Sequence, residues 1–358
     1  GTLTRIFMVL ILLSGFLQTF SQTKKRVDIE QADYLEASEK IAANAQRLIG
    51  NVRIRHQDIL MWCDSAYTYT GTNRVDAFGN VHINQGDTVD LYANKILYDG
   101  DINFASASGN VKLLNKTTTL LCDTLEYDIE SNIGYYETGG KIIDSVNTLT
   151  SNIARYYLDL DMIYFYEEVN AYNDDYTLQN DTLIYNTNSG LYLIKGPTVI
   201  RDSAYTLYSE DGWYNSKTGE AELKENPRVF DEKQELRADY IRYNEADGNG
   251  KALGNVFMQD YENKIIVTGE TAEYSDKLEI ATVTDSALFN MYSEKDTLVL
   301  HADTLRTVPD TIEGEKLVMA FYDARFFRTD IQGICDSLIY FSRDSVVELH
   351  HNPVIWSN

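Results

Sequence analysis

One short pattern recurs along this chain at nearly constant spacing, and the recurrence limits the possible folds more than any single residue does. Aligned on a small residue followed by an acid or amide, the acidic position falls at Asp33, Asp64, Asn94, Asp123, Asn152, Asp181, Glu210, Asp239, Glu270, Asp303 and Asp336. Successive spacings are 31, 30, 29, 29, 29, 29, 29, 31, 33 and 33 residues. A period this steady over eleven copies marks a stacked repeat, in which each unit is too small to bury its own apolar face and neighbours share one core.

Each unit reads Leu-x-small-acid-x-apolar-x-Tyr. Met61, Leu91, Leu120, Leu149 and Leu178 stand three residues before the acid, Ala66, Ile96, Leu125, Ala154 and Leu183 two after it, and Tyr98, Tyr127, Tyr156, Tyr185 and Tyr214 four after it. Strand side chains alternate between faces, so residues five apart fall on opposite faces of a regular strand. Both apolar sets reach one core only if the strand slips phase at the small-acid pair, by a bulge or a sharp corner. The alternative is an unbroken strand buried on both faces. The rest of each unit runs through a polar turn into short alternating strands punctuated by Gly-Asn-Val, at Gly50–Val52, Gly79–Val81, Gly109–Val111 and Gly254–Val256. Glu36 to Ile49 is the one candidate helix; its fit to the repeat at Asp33 and Leu35 predicts a mostly extended segment instead.

Hydrophobic residues make up 44% of the 358 residues, enough for a core, and 26 Tyr against 4 Pro favour β structure. The 55 acidic residues outnumber the 31 basic ones, for a formal charge of -24, which argues against a nucleic-acid partner. At the N-terminus, Arg5, an apolar run from Ile6 to Phe16 and the small residues Thr19 and Ser21 predict a signal peptide over residues 1–21, the alternative being an uncleaved anchor. The initial Gly suggests that a few residues precede it. The ending "HHNPVIWSN" reads as the start of a strand with nothing after it, so the C-terminus is expected to be truncated.

Cys63, Cys122 and Cys335 each fill the small-residue slot before the acid, and are expected to be unpaired buried thiols, because sites two repeats apart exceed disulfide reach; one disulfide with a free thiol is the alternative. His56, His82, His301, His350 and His351 occupy unrelated repeat positions and predict surface roles, with no metal site. The repeating acid is expected to be structural, accepting backbone hydrogen bonds at the bend, since a catalytic pair should be locally unique and Asn94 and Asn152 replace it. No catalytic residue and no cofactor is expected. Recurrent Asp-Ser/Thr-apolar triplets such as Asp123–Leu125 and Asp202–Ala204 read either as by-products of the repeat or as O-glycosylation sites.

"GNVHINQGDTVDLYANKILYD" and "GNVKLLNKTTTLLCDTLEYD" resemble the LptA/OstA-like family, and "QADYLEAS" with "RLIGNVRIRHQDILMWCDSAYTY" resembles its longer OstA-like branch. The resemblance implies an all-β fold: an elongated, twisted antiparallel β-jellyroll of about eleven stacked repeats of roughly 29–33 residues. OstA-like repeats are expected over residues 22–281, with more divergent repeats over 282–358. It further implies a periplasmic protein of the inner-to-outer membrane bridge, possessing an apolar trough that shields the lipid A acyl chains of lipopolysaccharide, and joined to other jellyroll components by end-to-end strand addition. The expected lipid-contact residues are Val52, Ile54, Val81, Ile83, Leu91, Ile96, Val111, Leu113 and Leu125. Each also fits an ordinary closed core position. Two other readings stand beside this one: a parallel β-helix acting on polysaccharide, and a structural repeat protein or adhesin of the cell envelope.

Overall fold

A computed structural model describes residues 26–37, 44–86, 88–275, 277–293, 296–311, 316–341, 343 and 346–357. The expected signal peptide lies outside the described residues, as do residues 38–43 of the rejected helix. On either side of that gap the chain is extended, in strands Tyr34–Ala37 and Ala45–His56. Strands account for 75% of the structure and helix for 1%, so the sheet can be covered only by the sheet itself.

Strands Ala45–His56, Ile59–Tyr69, Arg74–Gln85, Val89–Asp99, Phe104–Asn115 and Thr118–Asp128 each pair antiparallel with the next. The pattern continues to Ile331–Phe341, which pairs with both Val346–His350 and Val354–Ser357. Antiparallel ladders throughout exclude the parallel β-helix. The long sheet is an antiparallel β-jellyroll, folded along its length into two arms that meet at a corner.

The corner is built from two residues set against one. Register passes from Ile49 opposite Ser65 to Val52 opposite Cys63, leaving Gly50 and Asn51 to face Asp64 alone. The same two-to-one step places Gly79 and Asn80 against Asn94, and Gly109 and Asn110 against Asp123. Both extra residues are left-handed, with φ of 75° at Gly79 and 45° at Asn80, a region in which Gly is unstrained and Asn is tolerated. The bend brings Met61 and Ala66 into one core, at 2% and 0% exposure, although they lie five residues apart. The strand is therefore bent rather than buried on both faces.

The repeating acid does not act as expected from the sequence. Its carboxylate accepts a hydrogen bond from the Asn side chain of the following strand: Asn51 Nδ2 to Asp33 at 2.9 Å, and Asn80 Nδ2 to Asp64 and Asn255 Nδ2 to Asp239 at 2.8 Å. Backbone groups seal the corner separately, as where Asp33 N donates to Gly50 O at 2.9 Å. The carboxylate sits directly over the glycine, where a Cβ on Gly79 would lie 2.4 Å from Asp64 Oδ2. Where the Gly-Asn pair is absent, the corner persists in left-handed Glu167 and Glu168, Asp285 and Ser286, and Tyr322 and Asp323.

The histidines divide. Imidazole His82 stacks between Trp62 and Tyr92 on the outer surface, with ring centroids 4.9 and 4.3 Å away, and bonds Asp90 at 2.7 Å. His56, expected at the surface, is instead 2% exposed and turns inward at the end of its strand, where its Nδ1 lies 2.6 Å from Tyr98 Oη. Among the thiols, which are unpaired, Cys63 and Cys335 are buried and Cys122 is half-buried. Desolvation pushes the Cys63 thiol up to about 11 and that of Cys122 up to about 12.

The corner geometry gives a pair of opposite expectations. Gly79→Ala forces a Cβ against Asp64 at positive φ and should lower stability by roughly 2 kcal/mol. Glu167→Gly removes an L side chain from a left-handed position and should stay within about 1 kcal/mol of wild type. Urea midpoints at unchanged m-value read both; equal losses at the two sites would show that the corner does not discriminate.

Candidate functional site

In cross-section the jellyroll is a V, with the corner at its apex and the strand ends at its mouth. Two apolar rows line the inside. Along one arm, directly paired residues run Ile54, Met61, Ile83, Leu91, Leu113 and Leu120, then Ile142, Leu149, Ala171, Leu178 and Ile200. The row continues through Leu207, Val229, Leu236, Met258, Val267, Phe289, Leu300 and Phe326. At ~4.8 Å per strand this is an apolar line roughly 85 Å long. The other arm carries Leu48, Ala66, Ala77, Ile96, Ala107 and Leu125 in the same manner, each large residue paired with an alanine.

The nine residues singled out from the sequence all fall on these inner faces, within one hydrophobic cluster. None is more than 2% exposed. Two clefts, of about 680 Å³ beside Tyr69 and Ile102 and about 260 Å³ beside Phe327 and Trp356, are lined by none of the nine. In its first length the V is therefore filled by its own side chains.

The mouth of that length is shut by hydrogen bonds between the arms. Tyr127 Oη donates to Gln85 Oε1 at 2.6 Å, Asn115 Nδ2 donates to Tyr156 Oη at 2.9 Å, and Asn147 Nδ2 donates to Tyr185 Oη at 2.9 Å. With the His56–Tyr98 contact, these form a seam that joins a polar residue at or beside a strand terminus in one arm to a tyrosine near a strand end in the other. Tyr98, Tyr127, Tyr156, Tyr185 and Tyr192 are at most 3% exposed. Burial pushes the Tyr98, Tyr127 and Tyr185 hydroxyls above their ordinary range, so they stay protonated.

Beyond Tyr214 the V opens. Tyr243 is 40% exposed and Tyr274 47%, although both occupy the same repeat position as the sealed tyrosines. The inner row changes with them: Val229, Leu236, Met258, Val267, Phe289 and Phe326 are only partly buried against the second core cluster. Sequence reasoning missed these open-row residues because their spacing and polarity match those of the closed row. The readable signal is a His, Gln or Asn about forty residues before each sealed tyrosine.

A buried carboxylate held by two exposed arginines braces the outer face where this opening begins. Strands Arg228–Phe230 and Gln234–Arg237 are short, with few ladder bonds. Between them Glu235, 3% exposed, accepts from Arg237 Nε and Arg228 Nε at 2.7 Å and from Tyr261 Oη at 2.9 Å. Arg228 also lies over the Phe230 ring at 5.0 Å, and Arg237 over Phe257 at 5.3 Å. The Arg237 hydrogen bond, followed by that of Arg228, holds the Glu235 carboxyl down to about 2.

Taken together, these features define an all-β antiparallel jellyroll whose apolar interior is closed along one length and open along another. Residues 24–181 match the model of the OstA-like protein family. Among solved structures the chain is similar to LptH of Pseudomonas aeruginosa, described as the LptA-homologous periplasmic component of the conserved lipopolysaccharide transport device. That alignment has 13% identity and a TM-score of 0.30, and covers 35% of this chain and 94% of LptH. No curated protein matches the chain.

The ion cluster makes the protein acid-sensitive in a defined window. A carboxyl lowered from 4.5 to about 2 on folding contributes stability that is complete above about pH 4.5 and disappears as the pH falls towards 2. Glu235→Gln should lower the denaturation midpoint at pH 7 and flatten the loss of stability between pH 4.5 and 2. An unchanged acid limb in thermal melts would mean that the cluster is not linked to folding.

Proposed function

We propose that the protein is a non-enzymatic, periplasmic component of the lipopolysaccharide transport bridge, exported by its N-terminal segment, that shields lipid A acyl chains in the apolar V. The observation that carries this reading is the continuous inner row, which turns from sealed to accessible without losing its apolar character. A conduit needs many equivalent apolar positions in line. Each CH₂ moved from water to such a surface contributes about 0.8 kcal/mol, so a few chains are held without charged contacts, while the sugars stay in water at the mouth. The OstA-like match and the likeness to a named transport component accord with this reading.

Within it, the acyl chains rest first on Met258, Val267, Phe289 and Phe326. Val52, Ile54, Val81, Ile83, Leu91, Ile96, Val111, Leu113 and Leu125 form the closed end of the same apolar lining, reached only where the arms part. The edges of the terminal strands take neighbouring jellyrolls of the bridge by strand addition.

The test is site-specific photocrosslinking in cells. A benzophenone side chain at Phe289 should crosslink to lipopolysaccharide, whereas one at solvent-facing Tyr172 should not. Equal labelling at both positions, or labelling at neither in a folded protein, would rule out the trough.

A further inference from the structure

We propose that the tyrosine seam is the specificity-determining element of the trough: it confines bound acyl chains to the length beyond Tyr214 and excludes them from the length that it closes. The inference rests on the lipid-shielding reading above and adds which part of the interior is available, and why.

A chain entering the closed length would have to separate buried polar groups whose hydrogen bonds join the two arms. His56, Asn115 and Asn147 are 2%, 3% and 1% exposed, and the tyrosines opposite are equally buried. Asn147 is the hub of the last rung, bonding Tyr185 through Nδ2 and accepting from Tyr176 Oη at 2.8 Å, while Tyr176 Oη also lies 3.0 Å from Tyr192 Oη. Pushing an alkyl chain between such partners leaves donors and acceptors buried and unpaired, at about 1–3 kcal/mol for each group. Nothing offsets that cost, because the interior there is already packed. In the open length a chain meets half-exposed Met258, Val267 and Phe289, so burial gained is new burial. Ring stacking reinforces the closed length, where Tyr185 and Tyr192 stack at 4.4 Å and Tyr192 and Tyr214 at 6.2 Å.

Hydrogen exchange of the full chain, with and without purified lipopolysaccharide, reads the boundary without a bulky probe. In wild type, ligand should slow exchange several-fold in Ile265–Ser275 and Ile280–Tyr292 and leave Arg74–Gln85 and Met162–Tyr172 unchanged. In Asn147→Ala the slowing should spread into Met162–Tyr172. Tyr185→Phe keeps the ring packed and removes only the hydroxyl; it should produce the same spread in weaker form, and it serves as the test if Asn147→Ala does not fold. Slowing in Arg74–Gln85 equal to that in Ile280–Tyr292 in wild type overturns the seam while leaving the lipid reading intact, as does a folded seam variant without spread. Slowing nowhere overturns the lipid reading and this inference with it.

Discussion

Everything in this fold follows from the corner at which each strand bends. An antiparallel sheet with polar residues outside and apolar residues inside has nothing to cover it but itself, and covering requires every strand to fold at the same level. A left-handed step opposite the acid or amide accomplishes this, with two residues at Gly79 and Asn80 and with Gly196 alone beside Pro197, and the bond from Asn80 to Asp64 or from Asn255 to Asp239 locks neighbouring corners together. The regular spacing of the acid is thus a geometric requirement. If one corner slipped by a residue, the alternation would carry its arm's apolar side chains to the solvent face.

Given that apex, the mouth becomes the variable element. Along the first length the strand ends carry hydrogen-bonding side chains that meet tyrosines across the gap, and the interior packs to exclusion. Along the second, Tyr243 and Tyr274 at the same repeat position are partly exposed and the apolar row is partly uncovered. One architecture therefore yields two interiors, a closed core and an open trough, distinguished by a handful of polar residues at strand ends. The Glu235 cluster falls where the change occurs, bracing short strands from outside. A trough that must stay open cannot depend on a packed interior for rigidity, and an outer brace supplies what the core does not.

Much of this was legible in the sequence. The alternating runs and turn residues gave the strand content, and the five-residue offset between Met61 and Ala66, or Leu91 and Ile96, pointed to a bend, with a strand buried on both faces as the alternative. Three features were not legible. The acid's partner is an Asn on the following strand, and local sequence says nothing about which side chain crosses to it. His56 reads as an isolated polar residue until Tyr98, 42 residues on, is brought against it. Closed and open rows share one pattern because periodicity reports which face is apolar, whereas exposure depends on whether two arms meet.

The central claim is that the open length of the V holds lipid chains, and the most direct measurement is native mass spectrometry of the protein purified from its own envelope, followed by identification of released lipid. The account predicts bound lipopolysaccharide that leaves with its acyl chains intact, enriched over bulk envelope lipid. Folded protein that carries no lipid, or carries envelope lipids only in their bulk proportions, would contradict it.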